Sequence, residues 1–340
     1  MVDANFKREY TAIDIAKLIC AFLVVAIHTE PFANHYWFDK AFGVLTRIPV
    51  PYFFTSSGFF LYLNGGDNLP FTKLVKYCLR ILRLYCIWSI FYLPLLYSKC
   101  ALPEGFNHGM FFKSIFWLGT GSHLWYLIAS IVAAIMTWCC IRATSVRTTL
   151  LISIAFLFFG TVFSNYAPLV RMFFVDPSGV VGKIFSILDM LGTRNGIFYG
   201  FFYVCLGAMI AKGYRKFKMT TYIVVFLISF VMLAIEGVIA VRVVGSSDRN
   251  LWFAAPFVVW ATFMITLKLA PDISKKTALA CRNGSTLIYT SHRLFIVLLI
   301  EMFAMKKGVM LFGATTAIVT AFSAVFLLLQ KKFHVLKFLM

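Results

Sequence analysis

The sequence predicts an all-α protein, a polytopic bundle of about ten transmembrane helices with both termini in the cytoplasm. Of its 340 residues, 61% are hydrophobic and only 13% are charged, which is far more apolar than a soluble domain requires. Apolar runs of about 20 residues, the length that crosses a bilayer as a helix, recur along the whole chain. The runs are continuous and do not alternate, so they indicate helices and exclude a barrel of membrane strands.

Short polar breaks, often with Gly or Pro, divide the apolar material into ten predicted spans. In chain order they cover residues 12–30, 42–63, 79–98, 123–141, 148–167, 195–211, 221–241, 251–268, 284–303 and 308–329. Residues 104–118 alternate apolar and polar side chains at helical spacing, which predicts an interfacial helix on the outer surface. Residues 168–194 predict a re-entrant or surface loop outside. We therefore expect one membrane domain over residues 1–340, with a retained first helix and no attached soluble domain.

Basic residues outnumber acidic ones by 32 to 13. In a membrane chain such an excess is typical of cytoplasmic loops, and no nucleic-acid-binding motif accompanies it here. Placing both termini in the cytoplasm puts most of the Lys and Arg residues in cytoplasmic segments. The same excess predicts contact with anionic lipid headgroups.

The eight cysteines lie mostly in or beside the predicted spans. They show neither CxxC pairs nor zinc-ligand spacing, so we interpret them as small core residues and predict no metal site. The chain also contains no Gly-rich phosphate loop, no GxSxG elbow and no HExxH helix, so the enzyme classes that depend on these motifs are not indicated.

The first predicted span carries ionisable residues on one face. With 100° per residue, His28 lies about 20° from Lys17, Asp14 lies about 60° from it, and the rise from Lys17 to His28 is about 16 Å. Such groups cost several kcal/mol in a membrane unless they pair or face a wet cavity, so we predict a polar stripe in which Asp14 pairs with Lys17. Glu30 could orient the His28 ring or raise its basicity. Snorkelling of Lys17 and His28 to the two interfaces is the alternative.

This helix, "DIAKLICAFLVVAIH", resembles the first helix of acyltransferase family 3, whose members have Asp-x-x-Arg/Lys and then a histidine after ten intervening residues. Lys17 and His28 match that spacing, although arginine is more usual at the basic position. The resemblance continues in order through five further stretches: "VPYFFTSSGFFLYL" from Val50, Arg80-Ile-Leu-Arg83, "HLWYLIAS" from His123, "TRNGIFYGFFYVCLGAMI" from Thr193 and "STLIYTSH" from Ser285. It therefore covers nearly the whole chain.

The resemblance implies an enzyme of a bacterial plasma membrane that transfers an acyl group from cytoplasmic acetyl-CoA to a hydroxyl of an extracytoplasmic glycan or lipid-linked sugar. His28 would act as general base or carry the acyl group itself. Arg80 and Arg83, with Lys76 just before them, suit the phosphates of CoA, because guanidinium binds phosphate bidentately. An ordinary positive-inside anchor is the alternative for these three residues.

Further residues are predicted to bind the acceptor; they are His123, Trp125, Arg194, Asn195, Tyr289 and His292. A sugar could stack on Trp125 while His123 donates a hydrogen bond to it, although an aromatic belt also explains this segment. Arg194 and Asn195 could instead anchor a helix end, and His292 could complete a polar tunnel or make an internal hydrogen bond. Two other carboxylates, Glu236 and Glu301, are interpreted as structural, each paired with a basic neighbour such as Arg242 or Lys306.

A membrane transporter or binding module for a small amino acid is the rival function. "LTRIPVPYFFTSSGFFL" and the stretch from Thr193 also resemble the membrane domain of vancomycin-resistance-type serine racemases, for which an uptake role is implied. A transporter needs a midplane substrate site and alternating access. An acyltransferase needs a CoA pocket inside and a histidine on a continuous polar path.

Overall fold

The computed structural model describes residues 10–33, 42–103, 105–173, 179–213, 217–245, 250–333 and 338–339. Within them the chain is almost entirely helical. The α-helices are α1 Thr11–Thr29, α2 Pro49–Tyr62, α3 Phe71–Cys100, α4 His108–Lys113, α5 Trp125–Ala143, α6 Val146–Val162, α7 Ala167–Phe173, α8 Val180–Leu191, α9 Phe201–Ala211, α10 Met219–Arg242, α11 Ala255–Lys268, α12 Lys275–Phe303 and α13 Val309–Lys332. Single π-helical turns, Ser114–Leu118 and Gly196–Gly200, follow α4 and precede α9.

The predicted all-α membrane bundle is confirmed, but the count of ten spans is not. By length and composition, six of the described helices can cross a membrane, and up to eight can if two bent helix pairs each count as one span. The α6–α7 pair bends by 74°, and the α8–α9 pair, which includes the π turn, bends by 97°. Two predicted spans, 42–63 and 251–268, hold helices of only 14 residues. The cytoplasmic location of the termini stays a prediction.

The segments between the predicted spans contain more structure than the sequence indicates. The segment 104–118, expected to be one interfacial helix, contains the second strand of a two-stranded hairpin (β1 Ala101–Leu102 with β2 Gly105–Phe106), followed by α4 and its π turn. Residues 168–194, expected to be a re-entrant or surface loop, contain most of α7 and all of α8. Their sharp bends against α6 and α9 are those of a broken span or a re-entrant segment.

Helix α1 lies inside the bundle, packed against α2, α11, α12 and α13. Its buried apolar face includes Ala21, Val24 and Val25. Small side chains at this face let the neighbouring backbones approach, which is how helices associate in membranes, where burial of apolar surface no longer drives packing. Because α1 is central, its polar residues must find partners on those neighbours.

The carboxylate of Glu236 on α10 anchors the start of α11. Its two oxygens accept hydrogen bonds from the backbone N–H groups of Phe253 at 2.7 Å and Ala254 at 2.9 Å, and the Tyr166 hydroxyl donates a third at 3.2 Å. An anionic group at a helix N-terminus satisfies amides that have no partner within the helix. Glu236 is therefore structural, as the sequence indicates, but its described partners are backbone amides and a tyrosine instead of Arg242.

Helices α2 and α9 meet through glycines. A Cβ placed on Gly58 would lie 2.0 Å from the carbonyl oxygen of Val204, and one on Gly207 would lie 2.0 Å from that of Thr55. These are backbone atoms, so no side-chain rotation can relieve the clash. The close contact fixes the position of α2 and, with it, of the helical residues 42–45 and the turn at 46–47 that precede it.

We predict that Gly207→Ala lowers the free energy of unfolding by about 1–3 kcal/mol or more, because overpacking forces the α2 and α9 backbones apart. Thermal unfolding in detergent micelles measures this loss. The matched control is Gly313→Ala on α13, where an added Cβ meets nothing within 4 Å. Equal stability of the two variants would show that the glycine contact does not constrain the bundle.

Candidate functional site

Three histidines from distant parts of the chain meet at the Glu30 end of α1. His28 lies in the last turn of α1, His123 in the turn before α5, and His292 in the middle of α12. The ring centroids of His123 and His292 are 4.7 Å apart, those of His28 and His292 are 5.2 Å apart, and those of His28 and His123 are 6.5 Å apart. His123 and His292 are buried, whereas His28 is half-buried. We call these three residues the histidine cluster.

The backbone of α12 holds His123 in place. The carbonyl oxygen of Thr290 accepts hydrogen bonds from His123 Nε2 at 3.2 Å and from the buried Tyr92 hydroxyl at 2.7 Å. The Tyr289 hydroxyl donates in the opposite direction, to the carbonyl oxygen of His123. The turn before α5 and helix α12 are thus joined by two hydrogen bonds, one donated by each of them. Tyr92 of α3 donates a third hydrogen bond to the same carbonyl of α12.

The hydrogen bonds of His292 define which of its nitrogen atoms is available. Its Nδ1 lies 2.8 Å from the carbonyl oxygen of Tyr289 and 3.1 Å from that of Ile288. A carbonyl oxygen only accepts, so Nδ1 carries the proton, and in the neutral ring the lone pair lies on Nε2. By the same reasoning Nε2 is the protonated nitrogen of His123.

Two ring nitrogens and a hydroxyl of this region are buried without a partner among the described residues: His292 Nε2, His123 Nδ1 and Ser291 Oγ. Buried polar atoms are nearly always hydrogen-bonded, and leaving one unmet costs about 1–3 kcal/mol. Such a concentration around two imidazoles marks a place that can accept a hydroxyl or another polar group of a substrate.

A cavity of about 70 Å³ adjoins the cluster. His28, His123, Trp125, Arg194 and Tyr289 all line it. These are five of the residues that the sequence predicts for catalysis or acceptor binding, and His292 contacts three of them, namely His28, His123 and Tyr289. The structure therefore brings together residues that are up to 261 positions apart in the chain.

Arg194 and Asn195, adjacent in sequence, have different surroundings. The Arg194 guanidinium lies 5.0 Å from the centroid of the Trp125 ring, and its Nη1 donates to Asn250 Oδ1 at 3.4 Å. Asn195 is buried; its Oδ1 accepts from the N–H groups of Ile197 and Phe198, and its Nδ2 donates to the carbonyl oxygen of Gly192. These bonds use both the oxygen and the nitrogen of the Asn195 amide. The arrangement corresponds to the alternative in which Asn195 anchors a helix end.

Glu30 is not placed to orient His28. Its carboxylate forms an ion pair with Lys307 at 2.6 Å, and both side chains are largely exposed. No hydrogen bond joins Glu30 to His28 in the part of the chain that the structure describes. A backbone bond from Gly308 N–H to the Thr29 carbonyl lies beside this pair, so Glu30 helps to fasten the end of α1 to the α12–α13 connection.

At the opposite end of α1, Asp14 pairs with Arg282 of α12 instead of Lys17. The guanidinium donates from Nε to Oδ1 at 3.0 Å and from Nη2 to Oδ2 at 2.8 Å, a bidentate geometry that an ammonium cannot match. Asp14 is 2% exposed and the Arg282 side chain is 52% exposed. Arg282 is not among the residues predicted from the sequence, where it looks like one more basic residue at a helix start.

Lys17 lies close to this pair. Its Nζ is 4.8 Å from the centroid of the Phe60 ring, and its ammonium interacts electrostatically with Asp14, Arg282 and Arg80. Of the two α3 arginines predicted to bind CoA, Arg80 is the one that interacts with Lys17. We call Asp14, Lys17, Arg80 and Arg282 the basic cluster.

The predicted continuous polar stripe is interrupted. Between Lys17 and His28, the side chains of Ala21, Val24 and Val25 are 0–2% exposed and packed in the core. The polar residues of α1 thus form two separate clusters, one near each end, because the positions between them on the same face are apolar and contact neighbouring helices.

The other predicted CoA-binding residues lie on the surface of α3. Lys76, Arg80 and Arg83 are all exposed. The Arg80 guanidinium lies 5.8 Å from the Tyr77 ring centroid, and that of Arg83 lies 4.9 Å from the ring of Phe338, near the C-terminus. Neighbouring Trp88 donates to the Leu339 carbonyl oxygen at 3.2 Å. In the described residues, no group of three or more His, Cys, Asp or Glu side chains can hold a metal ion.

Comparison with known proteins agrees with the resemblance seen in the sequence. The family model of the acyltransferase domain, acyltransferase family 3, matches residues 10–328. The chain is 25% identical over 304 residues and 30% identical over 223 residues to two proteins of Enterococcus faecalis named amino-acid racemase. It is 27% identical over 266 residues to a serine/alanine racemase of Enterococcus gallinarum.

These alignments cover 86%, 64% and 76% of this chain but 42%, 30% and 37% of the three relatives. The chain therefore spans less than half the length of the curated relatives it matches. No solved structure matches it.

We predict that Asp14→Asn lowers the free energy of unfolding by about 1–3 kcal/mol, because it weakens hydrogen bonds between a buried carboxylate and a guanidinium. Glu30→Gln, at the other end of the same helix, breaks an exposed ion pair and is expected to cost no more than about 1 kcal/mol. Thermal unfolding of both variants in detergent provides the comparison. A loss at Asp14 no larger than the loss at Glu30 would contradict the buried pair.

Proposed function

The chain belongs to acyltransferase family 3, and on this premise we propose that it moves an acyl group, commonly acetyl, from cytoplasmic acyl-CoA to a hydroxyl of an extracytoplasmic cell-envelope sugar. The proposal rests mainly on the histidine cluster, in which three of the six histidines of the chain lie beside a cavity in a membrane bundle. We expect the protein in the plasma membrane of a bacterium.

The positions of the two clusters support different roles for the two ends of α1. The basic cluster, with Arg83 and Lys76 nearby, offers several positive groups at one end of the helix, which suits the phosphates of CoA. The histidine cluster lies about 16 Å away by the helical rise between Lys17 and His28. In this proposal, the long pantetheine arm of CoA brings the thioester from the first cluster towards the second, and the packing around Ala21, Val24 and Val25 has to open to admit it.

His28 would perform the transfer by one of two routes. As general base, its imidazole takes the proton of the acceptor hydroxyl while the oxygen attacks the thioester carbonyl. The C–S bond breaks, and the imidazolium returns the proton to the leaving thiolate. As acyl carrier, its nitrogen attacks the thioester, the C–S bond breaks, and the leaving CoA thiolate takes the proton of the imidazole ring. The acceptor hydroxyl then attacks the acyl-imidazole, the C–N bond breaks, and the hydroxyl proton passes to the freed imidazole.

Its neighbours support either route. The unpartnered His292 Nε2 lies in a ring whose centroid is 5.2 Å from that of His28, so it can accept a hydrogen bond from the acceptor. Trp125 and Tyr289 line the same cavity, and their aromatic rings can stack on a sugar. Arg194 lies at its edge and suits an anionic group on the acceptor.

The relatives' names favour one second candidate. They are named amino-acid and serine/alanine racemases, and this chain aligns with less than half of each. A membrane module that binds or moves a small amino acid such as serine would also place polar groups inside the bundle. Serine uptake that does not depend on CoA would favour this candidate, whereas acetyl-CoA bound to the purified protein would favour the acyltransferase.

We predict that His28→Ala reduces acyl transfer to cell-envelope sugars by at least about 100-fold, the lower end of what a general base contributes. Mass analysis of envelope glycans from cells producing each variant measures the added acyl groups. His108→Ala is the matched control, because His108 lies on exposed α4 and packs against Phe106. Normal acylation by His28→Ala, with the protein present in the membrane, would end the catalytic proposal for this residue.

We predict that Arg83→Ala weakens CoA binding by about tenfold, as expected when one charge-assisted phosphate contact worth about 1.4 kcal/mol is lost. Isothermal calorimetry with CoA and the detergent-solubilised protein gives the affinity. Arg142→Ala removes the same charge from another exposed arginine that packs on an aromatic ring, Trp138, and should leave the affinity unchanged. Equal affinities of the two variants would remove Arg83 from the proposed donor site.

A further inference from the structure

The two histidines that line the small cavity are held in different ways. His123 is 2% exposed, and its ring packs edge-on against three other rings at centroid distances of 5.1, 5.5 and 4.7 Å, those of Tyr92, Tyr289 and His292. His28 is half-buried, contacts the rings of His123 and His292, and makes no hydrogen bond to any residue that the structure describes. One imidazole is therefore fixed in its orientation, and the other has both of its nitrogens available for reaction.

Hydrogen bonding determines what the fixed ring can do. His123 Nε2 donates to the carbonyl oxygen of Thr290 at 3.2 Å, so the lone pair of the neutral ring lies on Nδ1. That Nδ1 is buried and has no partner among the described residues. At this atom, neutral His123 can accept a hydrogen bond or a proton, and it can donate one only after it has been protonated.

The Thr290 carbonyl also supports the ring once it is protonated. When Nδ1 takes a proton, both nitrogens become donors, and the bond from Nε2 to the carbonyl becomes a charge-assisted one, which is roughly twice as strong as a neutral one. Among the described residues that line the cavity there is no Asp or Glu. The carbonyl of α12 therefore fixes the tautomer of His123 in the way that a carboxylate does in a Ser-His-Asp triad.

The separation of the two rings leaves room for one reacting oxygen between them. The centroids of His28 and His123 are 6.5 Å apart, and the ring planes are inclined by 74°. A hydroxyl oxygen about 3 Å from His123 Nδ1 is within hydrogen-bond reach of it, and it can at the same time approach an acyl carbon carried on a His28 nitrogen. Because both rings line one cavity of about 70 Å³, they can act on the same substrate.

From these observations we propose that His123 is the general base that activates the acceptor hydroxyl, while His28 carries the acyl group. The inference rests on the proposed function and deepens it. It selects the acyl-carrier route and assigns the proton transfers of its second half to a further catalytic residue.

The reaction then proceeds in two steps. His28 attacks the thioester carbonyl, the C–S bond breaks, and the leaving thiolate takes the N–H proton of the His28 ring. After CoA has left, His123 Nδ1 takes the proton of the acceptor hydroxyl while the hydroxyl oxygen attacks the acyl carbon. The C–N bond breaks, and His123 passes the proton to the departing His28 nitrogen, so both rings end neutral and no proton is gained or lost.

His123→Gln tests this role while keeping the anchor on α12. The amide nitrogen of glutamine can donate to the Thr290 carbonyl in place of Nε2, but the side chain has no basic nitrogen. With acetyl-CoA as donor, two kinds of acceptor are compared. The first is the cell-envelope sugars, measured by mass analysis of glycans, and the second is hydroxylamine, which attacks acyl groups without a general base and is measured as acetohydroxamate formed by the detergent-solubilised protein.

We expect His123→Gln to lower transfer to envelope sugars by at least about 100-fold, the lower end of what a general base contributes. Formation of acetohydroxamate should stay nearly unchanged, because it needs only the acyl group on His28. His28→Ala should lose both activities. His108→Ala on exposed α4 is the matched control and should keep both.

The covalent intermediate gives a readout that a merely structural role would not change. Protein is mixed with acetyl-CoA, chased with a cell-envelope fraction, quenched and analysed by peptide mass spectrometry. We expect the wild-type protein to lose the acetyl group of His28 during the chase and His123→Gln to retain it. Release of CoA by His123→Gln should stop after a single turnover when envelope sugars are the acceptor.

The outcomes separate the inference from the proposed function. Normal acylation of envelope sugars by His123→Gln, or the absence of an acetyl group on His28, would overturn the inference although the wild-type protein transfers acyl groups. Loss of acetohydroxamate together with sugar transfer would also overturn it, because His123 would then serve the donor step or the fold. If the wild-type protein transfers no acyl group to either acceptor, the proposed function fails, and the inference fails with it.

Discussion

The bidentate pair between Asp14 and Arg282 is the interaction on which the rest of the site depends. It joins the first helix to a helix that begins more than 260 positions later, and it buries a carboxylate that would be costly in a membrane bundle without a partner. Once these two residues meet, the lengths of α1 and α12 fix what meets at their other ends. Fourteen residues after Asp14 comes His28, and ten after Arg282 comes His292, about four and three helical turns further along.

The histidine cluster follows from that arrangement and from one further constraint, the hydrogen bonding of α12 to the turn before α5. Thr290 contributes only its backbone carbonyl, yet Tyr92 and His123 both donate to it. Two segments that are distant from α12 in the sequence, α3 and the turn before α5, thus converge on one turn of that helix. The buried His292 Nε2 in α12 and His123 Nδ1 beside it have no partner among the described residues, so a polar ligand could hydrogen-bond to either of them.

The arrangement places two polar environments at the two ends of α1. Lysine and arginine side chains surround the buried carboxylate at one end, aromatic and imidazole groups line a small cavity at the other, and packed Ala21, Val24 and Val25 lie between them. A second cavity, of about 260 Å³ and with mostly apolar lining, adjoins on the side of the histidines, between the end of α1 and α10. The close contact of α2 with α9 through Gly58 and Gly207 positions the turn just before α2, where Thr46 and Arg47 line both cavities.

The sequence by itself determined the all-α membrane class, the identity of most of the helices and the residue types of the site, because apolar length and intramembrane charge are local properties of a chain. His28, His123 and His292 were each predicted separately from such local signals. Only the tertiary structure decided that they meet, that Asp14 pairs with Arg282 instead of Lys17, that Asn195 caps a helix, and that Glu30 is fastened to Lys307. Helical spacing shows which face a side chain occupies, but the partner across that face comes from another helix, and the choice depends on packing and hydrogen-bond geometry over the whole bundle. The number of spans shows the same limit. The structure bends neighbouring helices by 74° and 97° and keeps α2 and α11 short. These features depend on contacts between segments, which the length of an apolar run does not reveal.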